Sequence, residues 1–309
     1  MKTKLALHDA LHDVPRRALP PGSCDCHTHV FGEPAEFPHA LHRQYTPGQA
    51  SLEELLALHQ HLGIDRVVIV QPSPYGADNA CTLNALQTRG DRARGVAVID
   101  EHSSDEELAR MHALGVRGIR LNLETRGVND VGHAKAQLHW ADQRLAKAGL
   151  SNWHIQIYTK LAMVTALESD IQALQRPVVL DHFASVPAAL GTAQAHFAAL
   201  LRLLRDGPAW VKLSAPHRVS TAPDLRDVKP IMQALIDANS SRLVWGTDWP
   251  HPGAKPGEER RVDAVEAFNP VNDGRALNRL MEWVDDEALL KAILVSNPAR
   301  LYDFTTTTP

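Results

Sequence analysis

Four side chains with acid, base or ligand chemistry stand at the ends of apolar runs. His27 and His29 fall in SCDCHTH at residues 23–29, His182 closes VVLDH at 178–182, and Asp248 lies in VWGTDWP at 244–250. Successive side chains on a strand point to opposite faces, so His27 and His29 share one face while Cys24 and Cys26 share the other. The expectation is cysteines toward surrounding helices and imidazoles toward the interior, which keeps one ion from using both pairs. Two imidazoles at i and i+2 can face one metal or one substrate oxygen. By the same alternation His182 lies with Leu180 and Val178, and Asp248 with Gly246. Their structural alternatives are hydrogen-bonded interior histidines and an aspartate capping the next segment. Brought to one rim, the four would activate water against a carbonyl. Asp248 would take the proton, and imidazoles would donate to the growing oxyanion.

Other polar residues fall on the inward faces of apolar runs. Arg120 and Asn122 lie opposite Ile119, Leu121 and Leu123, Arg126 follows in a loop, and Arg218 follows the seventh run. Interior arginines are rare unless paired. One reading is ion pairing inside the protein, for instance Arg120 with Asp25 or Asp100. The functional reading is bidentate capture of a substrate carboxylate or sulfonate. Tyr158 is nearest the mouth on the inward face of the fifth run, a further donor to the oxyanion, while His154 shares that face about four residues lower. Lys212 also points inward and reads as structural, paired with Asp25 low in the fold. Cys81 reads as a small buried residue, and Trp245 and Trp249 as packing.

Eight apolar runs, at 23–31, 66–71, 95–100, 116–123, 153–159, 177–183, 209–215 and 242–247, are rich in β-branched residues or Leu and bounded by Gly, Pro, Asp or Asn. Between them, apolar residues three and four apart predict helices at 52–62, 79–89, 104–114, 133–148, 161–173, 187–205 and 227–238, with two more at 275–284 and 286–296. Alternation of this kind means parallel crossovers. The count of eight favours a (β/α)8 TIM barrel of α/β class over an open doubly wound sheet. The long irregular segments 31–51, 123–132 and 248–273 would follow strands, on the face where barrel active sites sit. The domain reading is an N-terminal arm at 1–22, one barrel at 23–304 and a tail at 305–309.

The chain has 309 residues, 44% hydrophobic and 22% charged, with net charge −4. This excludes a disordered chain, and the lack of a basic surplus argues against nucleic acid as a partner. The opening apolar run is cut by His8, Asp9, His12 and Asp13, a poor signal peptide. Without an apolar run of 18 residues, no membrane partner is expected. Three cysteines point to a reducing, cytoplasmic compartment rather than a disulfide framework. A monomer or small homo-oligomer is expected.

The motifs CDCHTHVFG, VVLDHF, VWGTDWPHP and NPARLYDF resemble the amidohydrolase superfamily over about residues 20–304. Within it, YTP at 45–47, VQPSPYGADN at 70–79, GIRLN at 118–122, Arg126 and SAPHRVS at 214–220 resemble the lactonase branch that includes 2-pyrone-4,6-dicarboxylate lactonase and 4-sulfomuconolactone hydrolase. The resemblance implies hydrolysis of a small anionic lactone in aromatic catabolism, with Tyr45 and Ser73 as hydrogen-bonding neighbours of Arg120, Arg126 and Arg218. Binuclear superfamily members use a carboxylated lysine on the fourth strand, and 116–122 has none. A site without cofactor is the preferred expectation, because the resembling lactonases are thought to work without metal. Its alternative is one divalent ion, zinc, on His27, His29, His182 and Asp248. Other implied functions are a zinc-dependent decarboxylase of an aromatic or unsaturated acid, a sugar-acid lactonase or a lactone isomerase. A ligand-binding barrel without turnover is the non-enzymatic reading, and an intact Asp248 argues against it.

Overall fold

A computed structural model describes residues 11–254 and 259–305. Residues 1–10 of the expected arm and 306–309 of the expected tail lie outside the described residues. The strands, in chain order, are β1 (Cys24–Thr28), β2 (Thr46–Pro47), β3 (Arg66–Val70), β4 (Ala93–Ala97), β5 (Val116–Asn122), β6 (His154–Tyr158), β7 (Val178–Leu180), β8 (Ala209–Ser214), β9 (Leu243–Gly246) and β10 (Val265–Glu266). Eight of them form one sheet in the order β1-β3-β4-β5-β6-β7-β8-β9, each parallel to its neighbour. The seam closes just above β9. Thr28 bridges Trp249, the His29 N–H donates to the Trp249 carbonyl at 2.8 Å, and the Asp248 N–H donates to the His27 carbonyl at 2.8 Å. The result is the expected (β/α)8 barrel, nearly closed. Gly246 permits the closure, since a Cβ there would come within 2.6 Å of the His27 backbone nitrogen. The short strands β2 and β10 pair in parallel and tie two long loops together over the mouth.

Local chemistry explains where helices start. Ser51 and Ser104 each cap a helix and exchange hydrogen bonds with Glu54 and Glu107, so Leu52–Leu62 and Asp105–Ala113 begin in capping boxes. Gly63, left-handed, ends the first of these. The expected helix at 161–173 is instead two short ones, Leu161–Ala166 and Glu168–Ala173, divided at Leu167. Of the expected helix at 187–205 only Phe197–Arg205 is α-helical, because Gly191 and His196 take positive φ ahead of it. Among the described residues no helix is long and apolar enough to cross a membrane.

The core has two layers. Val67, Ile69, Ile155, Ile157, Val211 and Leu213 face outward and pack with Leu55, Leu58, Leu200 and Leu203 of the helices. The inner layer joins Cys24, Cys26, Val68, Val70, Val96, Val179 and Val244 to Ala299, Leu301, Tyr302 and Phe304, which close the barrel floor. Cys24 and Cys26 thus lie inside the barrel, not toward the helices. The cause is a bulge in β1, where Asp25 pairs with Val67 but Thr28 pairs with Ile69, three steps against two. The extra residue resets the alternation, so Cys26 and His27 both turn inward. Asp25 turns outward to His59 Nε2 at 3.2 Å and the Thr247 hydroxyl at 2.6 Å. It therefore does not pair with Lys212 or Arg120.

Candidate active site

The three imidazoles and the carboxylate converge above the inner core. Asp248 Oδ1 lies 3.6 Å from His27 Nε2, 3.6 Å from His29 Nε2 and 3.8 Å from His182 Nε2. Asp248 Oδ2 is bound by both Nε and Nη2 of Arg218 at 2.8 Å. All four central residues are buried, and neither His27 Nε2 nor Asp248 Oδ1 has a hydrogen-bond partner. These orphaned atoms face each other across the space where a reacting group would sit.

His182 reaches the cluster by a route alternation does not describe. β7 ends at Leu180, and residues 182–185 all hold φ near +50°, from 49° at His182 to 53° at Phe183 and Ala184. Val179 faces the interior, so extended Asp181 two residues on is inward by the same alternation, and the left-handed turn that starts at His182 brings the next side chain to the same side. Asp181 is the hub of a buried network that the sequence reading did not single out. Its Oδ1 lies 3.2 Å from His27 Nδ1 and 3.7 Å from Lys212 Nζ, while Oδ2 accepts from Gln156 at 3.1 Å and Arg120 at 3.4 Å. Lys212 therefore pairs with Asp181, and so does Arg120. The only signal in the sequence was the Asp-His pair after a short apolar run.

Electrostatics follow burial. Desolvation alone would raise Asp248, but the Arg218 guanidinium and the imidazoles overcome it and hold the carboxyl well below its ordinary range. Asp181 is likewise raised by burial and pulled well below by His27, Lys212 and Arg120. Burial lowers His27 to about 4, lowers His29 and His182 as well, and brings Lys212 down to about 8. Around neutral pH the cluster holds neutral imidazoles and an ionised Asp248. His29 Nδ1 faces the Val70 carbonyl at 2.8 Å, which can only accept, so its N–H is there and Nε2 is bare. His182 Nδ1 pairs with the Ser214 hydroxyl at 2.9 Å.

The donor set fits a single divalent cation. Tetrahedral ligands at about 2.0–2.1 Å from an ion lie about 3.4 Å apart, close to the observed 3.6–3.8 Å. His27, His29 and Asp248 form such a group, and His182 Nε2 stands at the same carboxylate oxygen.

Above the cluster opens a cavity of about 630 Å³, including its mouth. Tyr45, Ser73, Arg120, Tyr158 and Arg218 line it together with His29, His182 and Asp248. Asn122 also lines it and donates to the Ser73 hydroxyl at 2.8 Å. Arg126 is exposed and lies outside the lining, although its neighbour Thr125 is part of it. The cavity instead gains Arg260, which lies over the Tyr45 ring at 3.6 Å and binds Glu266 through Nε at 2.8 Å and Nη2 at 2.5 Å. Arg260 sits in a long loop with no periodicity to read. Trp245 and Trp249 are buried in the outer core, and Cys81 is buried beside Val30.

Comparison with known proteins decides the family. The profile described as Amidohydrolase matches residues 24–304. The chain belongs to the amidohydrolase family. This amidohydrolase is 36% identical over 301 residues to the 2-pyrone-4,6-dicarboxylate hydrolase of Comamonas testosteroni, covering 93% of this chain and 92% of the relative. It is 32% identical to the 4-sulfomuconolactone hydrolase of Hydrogenophaga intermedia, over 93% of this chain and 90% of that one. Among solved structures, an Agrobacterium tumefaciens protein in apo form superposes with a TM-score of 0.79 at 25% identity, covering 94% of this chain and 99% of that one.

Proposed function

We propose that this amidohydrolase opens a small anionic lactone by adding water across the ring ester, as a step in breaking down an aromatic compound. The observation that carries the reading is Asp248 Oδ1, without a partner and held against three imidazoles, where His29, His182 and Asp248 itself line a cavity together with Arg120, Arg218 and Arg260. The lactone relatives at 32–36% identity support the same class.

The reaction is written on the chain's own groups. Asp248 Oδ1 and the bare Nε2 of His29 are both acceptors 3.6 Å apart, so a water donating to both presents its oxygen to the lactone carbonyl. Asp248 takes one proton as the C–O bond forms. The oxyanion receives hydrogen bonds from His27 Nε2 and the Tyr158 hydroxyl, while His182 packs beside both, 4.6 Å and 5.0 Å between ring centroids. Collapse breaks the ring C–O bond, and Asp248 returns its proton to the leaving oxygen. Arg120 and Arg260 hold the ring acid groups, with Ser73, Asn122 and Tyr45 beside them, and Arg126 stands at the outer edge. A divalent cation, when bound by His27, His29, His182 and Asp248, would polarise the carbonyl oxygen as a Lewis acid. All three cysteines are buried and free, which supports a reducing, cytoplasmic setting.

A pH-stat screen of the protein, run both with zinc and after chelator treatment, tests the reading. Doubly charged pyrone or muconolactone rings should be opened with acid release, at kcat/KM at least a hundredfold above a neutral lactone. Carbon dioxide release without ring opening, or no turnover of any anionic lactone, rejects it. For Arg260→Met, loss of one charge-assisted contact of about 1.5–3 kcal/mol should raise KM for dianionic lactones roughly 10- to 150-fold. Its kcat should stay within about threefold, because Arg260 contacts neither the water nor the carbonyl. Equal effects on neutral and dianionic rings would show that Arg260 only braces the loop through Glu266.

A further inference from the structure

A buried cation below the imidazoles takes no direct part in the proposed ring opening. Lys212, on β8, has no exposed surface. Its Nζ donates to Gln156 Oε1 at 2.7 Å and faces His27 Nδ1 at 3.3 Å. An ammonium offers only donors, so Nδ1 must accept. A neutral imidazole has one N–H, which then resides on Nε2, the atom aimed at Asp248 Oδ1. Asp181 Oδ1 lies 3.2 Å from the same Nδ1 and makes no hydrogen bond of acceptable geometry to it. Its charge offsets that of Lys212 at 3.7 Å. His29 is held in the opposite state, because a backbone carbonyl faces its Nδ1. Two imidazoles whose ring centroids are 5.0 Å apart thus present an N–H and a bare nitrogen to one carboxylate.

We propose that Lys212 is a positioning residue that fixes His27 as an Nε2–H donor toward the reacting carbonyl and thereby weakens the site's hold on a divalent cation. Ligation needs a bare Nε2, so a cation must first displace the His27 proton, and that proton has nowhere favourable to go while Lys212 occupies Nδ1. The donor role of His27 rests on the lactonase reading. The tautomer and the cation affinity do not.

Nitrogen-15 NMR of histidine-labelled wild-type protein reads the tautomer directly, with His27→Asn used to assign the signal. An Nε2–H resonance for His27 is expected, and an Nδ1–H resonance overturns the proposal. In Lys212→Met the proton should move to Nδ1. Zinc affinity of the chelator-stripped protein, measured by calorimetry, should then rise about 10- to 100-fold, and chelator-resistant lactone turnover should fall at least a hundredfold. Lys212→Gln keeps an N–H donor and should restore the Nε2–H state and the weak zinc binding. If Lys212→Met does not fold, the wild-type spectrum and Lys212→Gln decide. Unchanged tautomer and unchanged zinc affinity in Lys212→Met also overturn it. Absence of lactone turnover in wild type, with the Nε2–H state present, removes the lactonase reading and leaves the Lys212 assignment standing.

Discussion

Asp248→Asn should lower kcat on an anionic lactone by about three orders of magnitude, within the range a positioned base contributes. The carboxamide has nearly the same shape. Its oxygen can still accept from Arg218, whose Nε and Nη2 both reach Oδ2 at 2.8 Å. What disappears is the proton acceptor at Oδ1, the atom that faces three imidazole nitrogens and has no other partner. Binding should survive, because Arg120 and Arg260 are untouched and Arg218 loses a competing charge. The ring-opened acid should therefore inhibit the variant as well as it inhibits the wild type, or better. The pH profile supplies a second check. Arg218 and the imidazoles hold the Asp248 carboxyl well below its ordinary range against the opposing pull of burial. A base with a lowered pKa stays ionised to lower pH, so the acid limb of kcat/KM in the wild type should fall below the usual carboxylate range. A kcat within tenfold of wild type, or an acid limb near neutral pH, would remove Asp248 as the base.

The barrel was legible because its signals are redundant. Eight β-branched runs separated by helix-period segments admit few other arrangements, and register errors of a residue or two do not change the fold class. The site was legible to the extent that strand alternation held. Arg120, Asn122 and Tyr158 face the interior as a period of two requires. His27 and His29 also face it, but for a reason alternation does not contain. The β1 bulge between Asp25 and Thr28 turns Cys26 and His27 to the same side. That extra residue is set by pairing with β3, where Asp25 meets Val67 and Thr28 meets Ile69, a distant partner that the sequence of β1 does not encode. Asp181 was missed for a related reason. Alternation counted back from an inward His182 turns Asp181 outward, whereas Val179 faces the interior, Asp181 continues its alternation, and the left-handed turn starting at His182 brings that next side chain to the same side. Arg260 had no period to be read from, since it reaches the cavity by packing on Tyr45 from a loop. Alternation predicts direction only inside a regular strand, and the chemistry here stands where strands stop.

Asp181→Asn should destabilise the fold as well as the reaction. Asp181 is the shared anion of Lys212, Arg120 and the His27 ring, and it is buried. Paired charges in a low-dielectric interior are not necessarily more stable than apolar packing, but removing one partner leaves the others without compensation. That loss is about 3–5 kcal/mol for a buried pair. For a chain of this size it corresponds to a fall in Tm on the order of 10 °C. The amide can still accept from Gln156 or Arg120, so packing is conserved and the effect reads charge. Lys212→Met in the same chain removes the stranded ammonium. The double variant Asp181→Asn/Lys212→Met should recover part of the lost stability, with a coupling of about 1–3 kcal/mol in a double-mutant cycle. If the two substitutions simply add, the pair seen at 3.7 Å contributes no net interaction. Turnover should separate from stability in this series. The double variant regains melting temperature, yet His27 has lost the donor at its Nδ1 and the carboxylate beside it. Its tautomer is then free to change, and activity should stay low. A double variant that recovered both would show that the network under the imidazoles serves the fold alone.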